Sequence, residues 1–256
     1  MRAMVEMTAR RDFEYDNTYN RALQSEIYSR LSETEHEPLH EKKATKMISY
    51  SLPIPPRDCE EGDTRRLIFA GADEEVVTNV VAGLCQEPEL NLHEMTFHVE
   101  KAFSIDVPIG DTGTLTTGTP IIVRFTESEA DEYGIDTDYS KTYWRSEHGT
   151  DLFFTRLHRN LQFKYEQVYG EEPPEPPYFT GYSMDREVVK PLPFGEEDRA
   201  VNYIGYEWSF DYEVESGKHR KLLNLALDCG LGELNGLGFG FVNRDKDVNN
   251  GSDSGR

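Results

Sequence analysis

Cysteine is scarce in this sequence. Its 256 residues hold three, Cys59, Cys85 and Cys229, odd in number, far apart and without a C-x-x-C pair. That spacing excludes a disulfide framework and argues against a zinc-thiolate site, so the thiols are expected to be reduced. No apolar run approaches the ~20 residues that cross a bilayer, and nothing resembles a signal peptide. A soluble, cytoplasmic protein with no membrane partner is expected. The histidines show neither H-E-x-x-H nor H-x-E with C-x-x-C, so no metal and no cofactor are expected. Positive charge is also short: 27 Lys and Arg against 48 Asp and Glu give a formal net charge of −21. Such a balance ordinarily argues against nucleic acid, whose phosphates are neutralised by cations.

The acidity, however, is spread along the whole chain, as on the surface of a protein from a salt-accumulating halophile. At molar salt the Debye length falls to about 3 Å, and net charge no longer excludes RNA. Only local basic groups then report on it: Arg10 and Arg11, Lys42, Lys43 and Lys46, Arg65 and Arg66, and Lys218, Arg220 and Lys221.

What the chain has in excess is glycine near its end. "GLGELNGLGFGF", residues 230–241, places Gly230, Gly232, Gly236, Gly238 and Gly240 in one stretch. Glycine costs conformational entropy, and such a cluster marks a backbone that something approaches closely. A dinucleotide fingerprint does not fit, because Asn235 stands where the third glycine belongs, and no Gly-Lys-Ser/Thr ending makes a Walker loop. "RKLLNLALDC" before it has Leu222, Leu223, Ala226 and Leu227 at helical spacing, with Gly230 as a helix C-cap. The order is helix, glycine loop, then a strand carrying Phe239 and Phe241. A plain hairpin would explain two or three of these glycines.

The first half reads as alternating elements. Ala3, Val5 and Met7 alternate as a strand; Tyr19, Leu23, Ile27 and Leu31 recur as a helix; Ile48, Tyr50 and Leu52 alternate again. A strand at 67–70, a helix over 74–85 capped by Asp73, and a strand at Met95, Phe97 and Val99 follow. This order, βαββαβ, is the ferredoxin-like unit. The second half repeats it. "TPIIVRF" is read as a strand, and "DLFFTRLHRNLQFKYEQVY" as a helix ended by the prolines of "EEPPEPPY". "YFTGYSM" and "YIGYEWSFDYEV" are read as strands, "KHRKLLNLALD" as a helix and "LGFGFVN" as the last strand. The expected class is α+β, with tandem ferredoxin-like domains at 1–112 and 113–245 and a disordered tail at 246–256. "TESEADEYGIDTD" is expected to be a long acidic loop.

"LHEKKATKMISYSLPIP" is the second informative stretch. His40 precedes the strand carrying Ser49 and Ser51, Lys46 lies six residues on, and Tyr28 is on the preceding helix. RNA carries its own nucleophile, the 2′-hydroxyl, so strand cleavage needs only proton transfer and charge stabilisation. A histidine serves as general base or acid near neutrality, a lysine stabilises the phosphorane, and glycine-loop amides hold phosphate oxygens. Each part also has a plain reading: His40 as a surface histidine, Tyr28 as a core-edge aromatic, the lysines as a solvated face.

These stretches, with "YNRALQSEIYSRL", "VVAGLCQEPELNL" and "FKYEQVYGEEPP", resemble the CRISPR-associated endoribonucleases of the sixth Cas family over roughly residues 19–243. The resemblance implies two ferredoxin-like domains and metal-independent cutting of precursor CRISPR RNA within its repeats. It implies ends bearing a 5′-hydroxyl and a 2′,3′-cyclic phosphate. It makes Tyr28, His40 and Lys46 the catalytic residues. It makes Gly230, Gly232, Gly236, Gly238 and Gly240 the RNA-binding loop, and Lys218, Arg220 and Lys221, which begin the preceding helix, are candidate phosphate contacts. Tyrosines and phenylalanines on the sheet faces are expected to stack bases. The product could pass to a CRISPR interference complex, and monomer or homodimer is left open. A non-catalytic RNA-binding subunit of an effector complex is the alternative, and a ribonuclease without repeat specificity a third.

Overall fold

The computed structural model describes residues 1–31, 47–136, 141–193 and 200–245. His40 and Lys46, Lys42 and Lys43, and the expected tail lie outside them. The first half contains β1 (Arg2–Ala9), α1 (Asn20–Ser29), β2 (Ile48–Tyr50), β3 (Thr64–Gly71), α2 (Glu74–Gln86), β4 (Glu89–Leu92) and β5 (Met95–Ile105). Alternation in β1 buries Ala3, Val5, Met7 and Ala9 on one face, the period-2 pattern of a half-covered strand. That face meets the stripe Tyr19, Leu23, Ile27 and Leu31 and the valines of α2 in one core. Asp73 starts α2 by accepting a hydrogen bond from the Glu75 amide at 2.9 Å, as an N-cap aspartate does. The sheet runs β2-β3-β1-β5-β4, with neighbours antiparallel. This is the ferredoxin-like order extended at one edge by β4, which the sequence reading did not contain.

The second half contains β6 (Thr112–Thr117), β7 (Arg124–Thr126), α3 (Glu127–Glu132), β8 (Lys141–Tyr143), α4 (Thr150–Tyr169), β9 (Gly181–Pro193), β10 (Ala200–Glu213), α5 (Gly217–Cys229) and β11 (Val242–Arg244). Its main sheet is β11-β6-β10-β9, the same topology again. The chain is therefore a tandem of ferredoxin-like folds, with a second core of buried residues from Ile109 to Val242.

Three assignments differ from the sequence reading. The first strand of this unit is β6, not "TPIIVRF". Five threonines or glycines among its six residues leave Leu115 as the one buried apolar side chain, so β-branched threonine forms the strand without hydrophobic alternation. Ile121, Ile122 and Val123 are buried consecutively because the segment is covered on both sides, bridging to Tyr206 and to Glu233. The last strand begins only at Val242, and Phe239 and Phe241 belong to the glycine loop. Part of the acidic loop is helix α3, started by a reciprocal pair in which Thr126 and Glu129 each cap the other's backbone; the T-x-x-E pattern was legible in the sequence.

Candidate active site and nucleic-acid interface

The glycine loop begins where α5 ends. Gly230, at φ 73°, donates its amide to Ala226 O at 2.9 Å and turns the chain out of the helix. The two arms of the loop then close on each other, with the Leu231 amide donating to Gly240 O at 2.8 Å. A Cβ on Gly240 would sit 1.9 Å from Leu231 O, and one on Gly232 2.5 Å from Ile122 O. No side chain fits either gap. A single 3-10 turn, Asn235–Leu237, forms the tip. Asn235 ties the arms from inside, its Nδ2 donating to Leu231 O at 3.0 Å and to Phe239 O at 2.9 Å.

The approach that demands these glycines is thus made by the protein itself. Gly230, Gly232, Gly238 and Gly240 all have positive φ and face protein atoms at under 3 Å from an added Cβ. The amides of residues 230, 231, 233, 237, 238 and 240 donate to main-chain carbonyls, and that of Phe241 to Thr119 Oγ1. Those amides are committed, so the expectation that loop N–H groups hold phosphate is corrected for them.

The loop tip docks on the first unit. Asn20 Nδ2 donates to Leu237 O at 2.7 Å, Gln24 Nε2 to Gly236 O at 2.6 Å, and Tyr50 Oη to Gly236 O at 3.1 Å. Asn20 and Gln24 are one turn apart on α1, and Tyr28 continues the same stripe, since residues four apart share a helix face. Tyr28 is half-buried and adjoins Tyr50; burial raises its phenol above the ordinary tyrosine value. Of the three catalytic candidates, Tyr28 therefore lies on the helix face that holds the glycine loop, beside Tyr50. His40 and Lys46 follow and precede described residues on either side, Leu31 and Met47.

Beside the docked tip an interdomain cleft of about 430 Å³ opens, lined from the first unit by Tyr15, Asn17, Tyr19, Leu52 and Pro56. Gly238 and Phe239 of the loop, Thr119 and Pro120, and the β9 residues 186–190 line it from the second. Lys190 Nζ stands 4.5 Å from the Tyr19 ring centroid, a cation-π arrangement. Burial lowers its ammonium to about 8, with Asp16 opposing the shift. Arg186 forks onto Glu207 at 2.7 and 2.8 Å, leaving Lys190 to bring cationic character to this wall.

Lys218, Arg220 and Lys221 are not beside the loop. They occupy the first turns of α5, Lys221 about 14 Å from Gly230 at 1.5 Å per residue. Lys218 donates to Glu172 O at 3.0 Å and Lys221 to Glu171 at 3.1 Å, while Arg220 holds Asp111 and Ile109 O. Their charge is turned to protein acceptors. Sequence reasoning passed over Lys190, Asn20, Gln24, Asn235 and Lys164. The last left a signal, because a lysine three residues after Leu161 falls on the apolar stripe of α4.

Tandem ferredoxin-like folds, joined by a glycine-rich loop over a cleft, define a class of RNA-handling proteins. A family model described as "CRISPR associated protein Cas6, C-terminal" matches residues 105–244. The chain is 32% identical over 252 residues to the CRISPR-associated endoribonuclease Cas6 of Haloferax mediterranei, covering 95% of this chain and 93% of that one. It is 28% identical over 256 residues to a Cas6 endoribonuclease of Methanocaldococcus jannaschii, covering 95% and 99%. A solved structure described as "CRISPR associated protein Cas6" superposes with a TM-score of 0.71 at 21% identity, over 96% of this chain and 99% of that chain. The chain belongs to the Cas6 family.

Proposed function

We propose that this protein is an endoribonuclease that cuts precursor CRISPR RNA within its repeats to release guide RNAs. The observation that carries the reading is the 32% identity to the Haloferax endoribonuclease over nearly the whole of both chains. The placement of Tyr28 beside Tyr50, on the helix face whose Asn20 and Gln24 hold the loop tip, supports it.

The proposed reaction is transfer of the RNA's own 2′-hydroxyl onto the adjacent phosphorus. The P–O5′ bond breaks, giving a 2′,3′-cyclic phosphate and a 5′-hydroxyl without a metal. A base removes the 2′-hydroxyl proton and an acid returns one to the 5′-oxygen. His40 and Tyr28 divide these two roles, and Lys46 balances charge on the phosphorane. Burial raises the Tyr28 phenol, which leaves it protonated and able to donate as charge gathers on the leaving 5′-oxygen, though as a weaker acid than a free tyrosine. The strand's path is across the cleft, with Lys190 meeting phosphate and tyrosine rings meeting bases. Release of the cut RNA to an interference complex completes the proposal.

The test is cleavage of an end-labelled repeat RNA in molar potassium chloride with EDTA, by wild type and by His40→Ala. One cut leaving a cyclic phosphate, lost in the variant with RNA binding kept, is expected. Equal binding by both proteins with no cut by either would assign the chain a non-catalytic RNA-holding role. Equal cutting of a scrambled RNA would remove repeat specificity.

A further inference from the structure

Lys164 has no part in the chemistry above, yet it sits at the centre of the loop's construction. It lies on α4, wholly buried beside Leu157 and Leu161. Its Nζ donates to Gly230 O at 2.8 Å, to Gly232 O at 3.0 Å and to Asn235 Oδ1 at 2.7 Å. An ammonium has three hydrogens, and all three are directed into one loop. Asn235 carries the hold onward through its amide to Leu231 O and Phe239 O.

A buried lysine is unfavourable unless its charge is met. The titratable groups facing it are Cys229 of α5 and Glu233 of the loop. Burial pushes the Cys229 thiol up to about 12, so it is neutral. Glu233 is engaged by Arg124 at 2.7 Å and approached by Arg156 at 3.9 Å. The ammonium therefore rests chiefly on carbonyl dipoles, and burial lowers it to about 8. A leucine or methionine would fill the same space on this stripe without that penalty. What the lysine adds is a fixed shape for the loop.

We propose that Lys164 is a positioning residue for RNA. It winds the glycine loop into the shape in which Gly238 and Phe239 wall the cleft, and so sets affinity for the repeat strand without touching it. This rests on the cleft being the RNA path. The mechanical link is short: Lys164 to Asn235, Asn235 to Phe239 O, and the Phe239 ring 5.4 Å from Tyr203 and nearly parallel to it. The α1 side of the seam is held separately by Leu23 and Ile27 in the first core, so a loosened loop acts on binding before it acts on the Tyr28 helix.

The experiment measures the dissociation constant for repeat RNA and the single-turnover cutting rate at saturating RNA. It compares wild type, Lys164→Met, Asn235→Ala and the double variant, with amide hydrogen exchange of the RNA-free proteins. Lys164→Met keeps the length of the side chain and removes its donors. Its affinity is expected to fall about tenfold or more while the saturating rate stays within about threefold. Exchange at Leu231, Glu233 and Gly240 is expected to quicken about tenfold or more, with α2 unchanged. The double variant should bind no worse than the weaker single one, as residues acting as a unit do. Should Lys164→Met fail to fold, Asn235→Ala carries the same comparison. Wild-type affinity in Lys164→Met overturns the proposal, whether or not its loop amides exchange faster. A wild-type protein with no affinity for repeat RNA would instead overturn the functional reading, and the inference with it.

Discussion

The two ferredoxin-like units share a topology and differ in what fills them. The first is lined chiefly by small and aliphatic side chains, Ala3, Val5 and Met7 of β1 with Val76, Val77, Val80 and Leu84 of α2, and has Phe13, Tyr19, Tyr50, Phe69 and Phe97 as its rings. The second is lined by rings. Phe153 stacks on Trp208 at 4.6 Å, Trp144 meets Tyr206 edge-on at 4.7 Å, and Phe179 stacks on Phe210 at 4.7 Å. Large flat side chains cover irregular backbone as readily as regular strand. The aromatic unit accordingly holds the consecutive Ile121-Ile122-Val123 segment, the side sheet of β7 and β8, and the glycine loop. The first unit has fewer such segments, although Phe13 and Cys59, bridged to each other outside its strands and helices, also enter its core. The difference assigns the tasks: one unit presents a helix, the other shapes the loop that the helix grips.

That contrast is broken hardest at the glycines. Gly240→Ala places a methyl against Leu231 O in a left-handed position, and is expected to cost more than about 4 kcal/mol, the range of severe core lesions. Gly62 in the first unit is also left-handed, at φ 90°, but faces open space. Gly62→Ala should cost only about 1–2 kcal/mol, the price of the backbone region alone. Thermal or urea unfolding of both variants checks this, and similar losses would deny the loop its special packing.

A smaller effect separates the two sets of lysines. Lys190→Met is expected to weaken repeat RNA binding about fivefold to tenfold and to flatten its salt dependence by about one unit. Lys218→Ala, at the far end of α5, should leave both unchanged. Filter binding across a potassium chloride series decides between them, and the reverse pattern would move the RNA path to α5.

A third effect is on pH. Burial holds Lys164 at about 8 against 10.5 for the unfolded side chain. Between those values the unfolded chain binds protons that the folded chain has released, so stability rises with pH through the window. Below about 8 both states are charged and the contribution is flat. Urea midpoints of wild type relative to Lys164→Met, measured from pH 7 to 10.5, should therefore climb, and a falling difference would reverse the sign assigned here.

Much of this was readable in advance, and the reasons are local. The helices α1, α2, α4 and α5 announce themselves by apolar stripes, and Asp73 marks its cap. The strands β1, β3 and β5 alternate. β6 was missed because threonine fills a strand without the hydrophobic signal. Phe239 and Phe241 read as a strand in the sequence because spacing of two is also what a glycine-alternating loop shows. For the site, Tyr28 is on the face that spacing from Asn20 predicts. Lys190 was hidden because its burial depends on the packing of a distant tyrosine, which no spacing along β9 encodes. The glycine cluster is plain in the sequence, but the cause of Gly232 and Gly238 is long-range: Ile122 and Tyr50 exclude a Cβ there, each over 100 residues away in the chain, whereas Gly230 and Gly240 are closed off by the opposite arm of the loop.

The seam between the units is made largely by side chains of the first half grasping main-chain oxygens of the second. Asn20 and Gln24 take Leu237 O and Gly236 O, Ser49 takes Asp228 O at 3.0 Å, and the buried guanidinium of Arg2 takes Leu227 O and Val242 O. A carbonyl is present whatever residue carries it. Apart from Gly238, where Tyr50 and Asn20 exclude a Cβ, and from Asp228, Asn243 and Lys190, whose side chains meet Met1, Arg2 and Tyr19, the second half is free to exchange side chains along this border so long as its backbone trace is kept. Halves drawn from different members of the family should then be interchangeable, with Arg2, Asn20, Gln24, Ser49 and Tyr50 as the part to carry across.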